Sequence, residues 1–175
     1  GLVVTSSWLD IDTDFTQVLT DAIATNATLY CSNCKWQALH ATGSTLDGQE
    51  LDIADSTLAA TCVSPTVRLK LRHSELSAGS TIHVTQLHFP LSDFDLGMQG
   101  SPGGNTFTGT PGSFIGLPAA FLVVRGDMQV SASGNTWLPS DSGADAAGHF
   151  VAGTTLYDAV SGENIDKDGH SIIHF

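Results

Sequence analysis

The chain has 175 residues and a mass of 18.3 kDa, one domain's worth of sequence, and its 41% apolar content is enough to bury a core. Fifteen Asp and three Glu face three Lys and three Arg, for a formal net charge of −12. That balance argues against nucleic acid and against an anionic membrane surface, which both need clustered cations, and no apolar run approaches the roughly 18 residues of a membrane span.

Nineteen Thr, 18 Ser and 18 Gly point to β-strands joined by turns, and so does an acidic side that is almost all Asp. Asp competes for backbone hydrogen bonds and prefers caps and turns to helix interiors. A Lys-poor chain of this composition has the look of secreted and virion-surface proteins. Gly1 in place of Met reads as a processed, excised or tagged start.

Leu2-Val3-Val4 opens as a strand. Phe15, Val18, Leu19, Ala22 and Ile23 then recur at i, i+3, i+4, i+7 and i+8, which predicts an amphipathic helix over residues 13–25. Asp14 and Gln17 form its capping box, with Asp10 and Asp12 just upstream. Cys31 and Cys34 make a C-x-x-C without the βαβ context of a redox motif. Cys62 leaves the cysteine number odd, and the alternatives are a disulfide from Cys62 to either partner, free thiols, or a structural zinc completed by His40. Asn26-Ala27-Thr28 is a glycosylation sequon.

Beyond residue 26 the period is two. Trp36, Ala38 and His40 fall on one strand face, and residues 48–54 and 58–63 are shorter strands. Thr66–Arg72 alternates Val67, Leu69 and Leu71 with Arg68, Lys70 and Arg72. Ser80–Phe89 is a second long strand, joined to the first by a short hairpin loop. Residues 90–118 are a Gly/Pro-rich excursion with seven Gly and four Pro. Ala119–Val124, Arg125-Gly126-Asp127 and Met128–Ser133 read as a hairpin or a bulged strand. A Gly/Ser/Asp loop at 134–149 carries Trp137, and strands at 149–157 and 171–175 close the chain. No internal repeat is evident. The expectation is a single mainly β domain over 1–175, an antiparallel β-sandwich or jelly roll with one N-terminal helix.

Four groups of residues are candidate sites. Arg68, Lys70 and Arg72 put half of the chain's Lys and Arg on one strand face, suited to an anionic ligand or to an acidic patch on another copy. Trp137 on its loop, with Asn135 and Asp141, is placed to stack on a sugar ring, and Arg125 and Asp127 end an adhesion-type tripeptide. Asn164, Asp166 and Asp168 copy the opening of a Ca²⁺ loop, but Phe175 stands where a bidentate Glu is needed. Asp93/Asp95 and Asp141/Asp145 are looser oxygen pairs, and His83, His88, His149, His170 and His174 lack a metal-binding spacing. No nucleophile elbow, P-loop or dinucleotide fingerprint is present.

The expected function is a non-catalytic structural or receptor-binding surface module of a virion or phage-like assembly. Its expected partners are other copies, neighbouring assembly proteins, or a host-surface receptor or glycan, on a virion or outside the cell. A secreted carbohydrate-binding module, with Ca²⁺ as the ion that would suit it, is the alternative. A hydrolase using Asp and His is the third reading.

Overall fold

Two kinds of corner organise the chain, and each is built on a residue with a left-handed backbone. One series is Ser6, Asn26, Gly43, Ala60, Gly79 and Gly109; the other is Asp21, Ala38, Asp55, His73, Gly104 and Gly134, all with φ between 47° and 82°. Asn, Asp and Gly reach this region most easily. Early members recur at one constant interval, from Asn26 to Gly43 to Ala60 and from Asp21 to Ala38 to Asp55. Corner amides from Ser6 to Gly104 donate to a carbonyl of the next corner, as from Asn26 to Thr42, Gly43 to Ala59 and Ala60 to Ala78. The chain therefore coils instead of folding back.

The result, in a computed structural model describing residues 1–12, 16–85, 93–98, 100–112, 121–125, 128–137, 150–152, 155–156 and 171–174, is a parallel β-solenoid of about five turns. Its first wall stacks β1 (Val3–Thr5), β4 (Ile23–Thr25), β6 (His40–Thr42), β8 (Thr57–Ala59), β10 (Glu75–Leu76), β13 (Thr106–Phe107) and β16 (Thr136–Trp137), all parallel. β5 (Thr28–Gln37), β7 (Thr45–Ala54) and β9 (Cys62–Arg72) run through the other two walls. Their first halves continue the second wall, with β2 (Trp8–Ile11), β11 (Thr81–Thr85), β14 (Leu122–Arg125) and β17 (Phe150–Ala152). Their second halves continue the third, with β3 (Gln17–Thr20), β12 (Asp93–Asp95), β15 (Met128–Ser131) and β19 (Ser171–His174). β18 (Thr155–Leu156) pairs antiparallel with β17.

This overturns the antiparallel sandwich or jelly roll. Among the described residues there is no helix: Gln17–Thr20 and Ile23–Thr25 are strands, separated by Asp21 at φ 51°. The spacing that suggests a helical stripe does not make one buried face, because Val18 and Ile23 point outward at 61% and 44% exposure. Ala22 and Ala24 point inward instead. The β-branched Thr16, Thr20 and Thr25 suit an extended backbone that hydrogen-bonds to the next coil. The hairpin expected between Thr66–Arg72 and Ser80–Phe89 is absent, since β9 and β11 pair in parallel. β14 and β15 likewise pair in parallel with neighbouring coils, in different walls. Trp36 is in the core, whereas Ala38 forms a corner and His40 is exposed, so the three do not share a face.

The core is a set of inward columns. Val4, Ala24, Ala41, Leu58, Leu76 and Phe107 fill the first wall; Leu29, Leu46, Val63 and Ile82 the second; Leu51, Leu69 and Phe94 the third. The corner amides that the strands leave over are met from inside. Leu39 N–H donates to Ser56 Oγ at 3.0 Å, Ser56 N–H to Ser74 Oγ at 3.2 Å, and Ser74 N–H to Asn105 Oδ1 at 3.0 Å. At the opposite corner Ala27 N–H donates to Ser44 Oγ and Thr61 N–H to Ser80 Oγ. A buried amide without a partner costs about 1–3 kcal/mol, so these stacked hydroxyls set which residues each corner accepts.

Ala38 and Ala60 hold left-handed backbones at φ 55° and 47° without the freedom of Gly. That conformation costs an L-residue about 1–2 kcal/mol, more than the roughly 0.5–1 kcal/mol that the extra chain entropy of Gly would cost. Ala60→Gly and Ala38→Gly are therefore expected to leave stability unchanged or raise it by up to about 1 kcal/mol each. A denaturant midpoint that falls for both would contradict this.

The cysteines sort by wall direction. Inward alternation shifts phase where β5 bends, so Leu29, Cys31, Cys34 and Trp36 all point inward. This brings Cys31 and Cys34 to a Cα separation of 5.8 Å, and they form a disulfide. Cys62 remains a free thiol outside the core, so it bridges neither of them. The zinc reading fails too, because the disulfide removes two of its ligands and His40 faces outward from the first wall. Gly48, one coil on from Cys31, is required by close approach: a Cβ there would lie 1.9 Å from the Cys31 carbonyl oxygen.

Burial first, and the Asp47 carboxylate second, push the Cys62 thiol from 9.0 up to about 11. The unfolded chain ionises this thiol first, so its contribution to stability is intact below pH 9 and is lost as pH rises from 9 toward 11. At pH 8 iodoacetamide should label native Cys62 far more slowly than the unfolded chain. Equal rates in the two states would refute the shift.

Candidate functional site

The second halves of β5, β7 and β9 present their outward side chains as a grid. Register places Asn33 beside Glu50 and Glu50 beside Arg68; in the next row Lys35 adjoins Asp52, and Asp52 adjoins Lys70. Asp93 and Asp95 of β12 continue the two rows by backbone register. Neighbouring coils lie about 4.8 Å apart. Charge sign therefore alternates over three strands, a cation on β5, two carboxylates on β7 and two cations on β9, whereas Asp95 of β12 is buried. Like charges stacked at that spacing would repel, and alternation along the axis removes the penalty.

Within this face Lys35 Nζ and Asp52 Oδ2 are 3.9 Å apart, both partly exposed, a contact worth about 0–1 kcal/mol. Among the described residues Glu50, Arg68 and Lys70 form no ion pair within 4.0 Å. Asn33, Lys35, Glu50, Asp52 and Arg68 rim a recess of about 110 Å³ over Cys34 and Leu51. It offers hydrogen-bond donors, acceptors and both signs of charge.

The three cations singled out from sequence do not act alike. Arg68 is exposed and Lys70 half-buried, both outward on the grid. Arg72 is buried: its Nη1 donates to the Leu71 and Asp95 carbonyls at 2.9 and 3.0 Å, and its Nη2 pairs with the Asp95 carboxylate. The other Asp95 oxygen accepts the Gly97 N–H at 2.8 Å. Asn135 is likewise a structural group, donating to the Leu96 and Ala132 carbonyls and accepting from Asn105.

Trp137 ends β16 in register with Phe107, and Arg125 ends β14. Asp127, Asp141, Asp145, Asn164, Asp166, Asp168, His88, His149 and His170 lie outside the described residues. Among the described residues no three of His, Cys, Asp and Glu converge as metal ligands. Asp10 is exposed on the second wall, in one outward row with Tyr30 and Asp47. Trp8 is 66% exposed in the adjacent row, ahead of Thr28 and Thr45. Asn26 of the sequon occupies a corner, where its amide oxygen covers Gly43.

The sequence reading passed over Asn33, Lys35, Glu50 and Asp52. The signal was present: Asn33 and Lys35 precede Glu50 and Asp52 by the same interval that separates the early corners, and each step from Lys35 to Lys70 reverses charge. No family model, no curated protein and no solved structure matches the chain.

Proposed function

We propose that the chain is a non-catalytic scaffold module of an extracellular or virion-borne surface assembly, a rigid rod segment whose walls present rows of side chains to other copies, to neighbouring assembly proteins or to a receptor. One observation carries this reading: the described chain is spent on in-register stacking, which holds outward residues at strand spacing along an axis, as on the charged third wall. Such a surface suits an extended partner better than a small substrate. The buried Cys31–Cys34 disulfide supports an oxidising compartment.

Thiol trapping during fractionation of the source cells or particles tests it. The chain should be found in the surface or particle fraction, with Cys62 alone reactive after denaturation. Recovery from the cytosol with all three cysteines reduced would overturn the reading. A glycan partner is a second reading, favoured by Trp8, which stands 66% exposed in the row that continues through Thr28 and Thr45. Glycan-array binding that is lost in Trp8→Ala would select it.

A further inference from the structure

We infer that the third wall pairs with the same wall of a second copy, the two solenoid axes running antiparallel. The inference rests on the scaffold reading and names one partner and one face for it. Consider a two-fold axis lying in the contact plane, parallel to the strands and passing between β7 and β9. It places β7 of one copy over β9 of the other and preserves position along the strand. Glu50 then faces Arg68 of the second copy and Asp52 faces Lys70, and symmetry repeats both contacts to make four. β5 with Lys35 comes over β12 by register, but Asp95 there is buried against Arg72, so the complementarity rests on the β7 and β9 contacts. The recess between Asn33 and Glu50 lies where Arg68 of the second copy arrives.

The alternative arrangement, with the two-fold along the solenoid axis, sets β7 on β7 and β9 on β9. Carboxylates would meet carboxylates and cations would meet cations. The alternating rows thus select the antiparallel pair and reject the parallel one. Four strands of about five residues cover roughly 300 Å² per copy, well below the roughly 800 Å² of a standard stable interface. The pairing is therefore weak in free solution, strongly dependent on salt, and strengthened wherever copies are held side by side.

Sedimentation equilibrium at high protein concentration tests this with two variants, Glu50→Lys/Asp52→Lys and Arg68→Glu/Lys70→Glu, each first shown to be folded by its far-ultraviolet dichroism and melting temperature. The unaltered chain should dimerise at about 0.1 M salt, where a Debye length of about 10 Å screens the net charge of −12 between copies but not pairs in contact, and weaken by about tenfold or more toward 1 M. Each variant alone should stay monomeric, and an equimolar mixture should form a heterodimer, because all-cationic and all-anionic central rows are then opposite each other. Rescue in trans cannot come from effects within one chain. If a doubly substituted chain does not fold, Arg68→Glu mixed with Glu50→Lys gives the same comparison. A wild-type chain that stays monomeric at about 0.1 M salt overturns the inference, as does a mixture that associates no better than its components. Either result leaves the scaffold reading standing, since that reading is decided by compartment and thiol state.

Discussion

Replacing Arg72 with Met is expected to lower the unfolding free energy by about 3–5 kcal/mol. Arg72 is 8% exposed and Asp95 is 7% exposed, so neither charge is solvated by bulk water. Removing the cation leaves a buried carboxylate facing the side chain that replaced it, and takes the guanidinium donor from the Asp95 and Leu71 carbonyls, of which Leu71 keeps Asn105 Nδ2. The Asp95 carboxylate still holds the Gly97 amide, so it cannot simply turn away. Arg72→Met/Asp95→Asn should recover more than half of the loss, because a neutral amide keeps that acceptor and removes the stranded charge. Urea denaturation at constant m-value gives both numbers. A single-variant cost below about 1 kcal/mol would show that water reaches the pair and that it behaves as a surface contact.

The result would also separate the three cations that look alike in the sequence. Arg72 ties β9 to the chain that leaves β12, whereas Arg68 and Lys70 project from the wall. Charge reversal at Arg68 or Lys70 should cost less than about 1 kcal/mol of stability, because exposed charges exchange one hydrated state for another. Under the proposed pairing, fold and association fall to different members of one alternating stretch.

That stretch shows how far the sequence can be read. Leu69 and Leu71 point inward, and Arg68 and Lys70 outward, as alternation requires. Ile82 and Val84 obey the same rule in β11. Alternation reports that a strand has one wet side and one dry side, and this holds equally in a sandwich and in a coil. Which strand comes next is decided at the corners. There the information is a backbone angle and a small polar side chain, and several residue types supply it. Asn26, Gly43, Ala60 and Gly79 share a left-handed backbone although their side chains differ. Ser44, Thr61 and Ser80 share an inward hydroxyl. Residues 24–29 (ATNATL) and 41–46 (ATGSTL) are nonetheless alike, one coil apart, and this pair was the legible trace of coiling. Later coils obscure it, since the corner series passes from Gly79 directly to Gly109, a much longer stride than the early ones. The helix expected at 13–25 failed for the converse reason. Its spacing satisfied a 3.6-residue period by coincidence, and stacking on β5 and β6 outweighed a propensity that its threonines had already weakened. The charged grid was still harder to see, because its members come from three strands whose order is known only once the coil is known.

Asn105→Ala should cost about 3 kcal/mol or more, and it tests whether the inner corner ladder holds the long coils in place. The residue is 1% exposed and its amide is fully used. Oδ1 accepts the Ser74 N–H; Nδ2 donates to the Leu71 and Leu96 carbonyls at 3.0 and 3.1 Å and contacts Asn135 Oδ1 at 2.9 Å. Ser56 and Ser74 need only a hydroxyl at this corner, because successive coils there are short and their corners stack directly. From His73 the next corner of the series is Gly104, so this coil is far longer than those before it, and the chain must be drawn back onto the axis. An Asn reaches three carbonyl or amide groups at once, including one on the returning segment at Leu96, which a Ser cannot do. Asn105→Ser should therefore restore the bond to Ser74 alone and recover less than half of the loss. Asn105→Asp should be worse than Ala, because it turns a charged acceptor toward two carbonyl oxygens. Hydrogen exchange supplies the local readout: the amides of Ser74 and Thr106 should lose protection in Asn105→Ala before those of β5 and β7 do. Uniform loss across all coils would mean that the solenoid melts as one unit and that the Asn ladder is no more important than the serines before it.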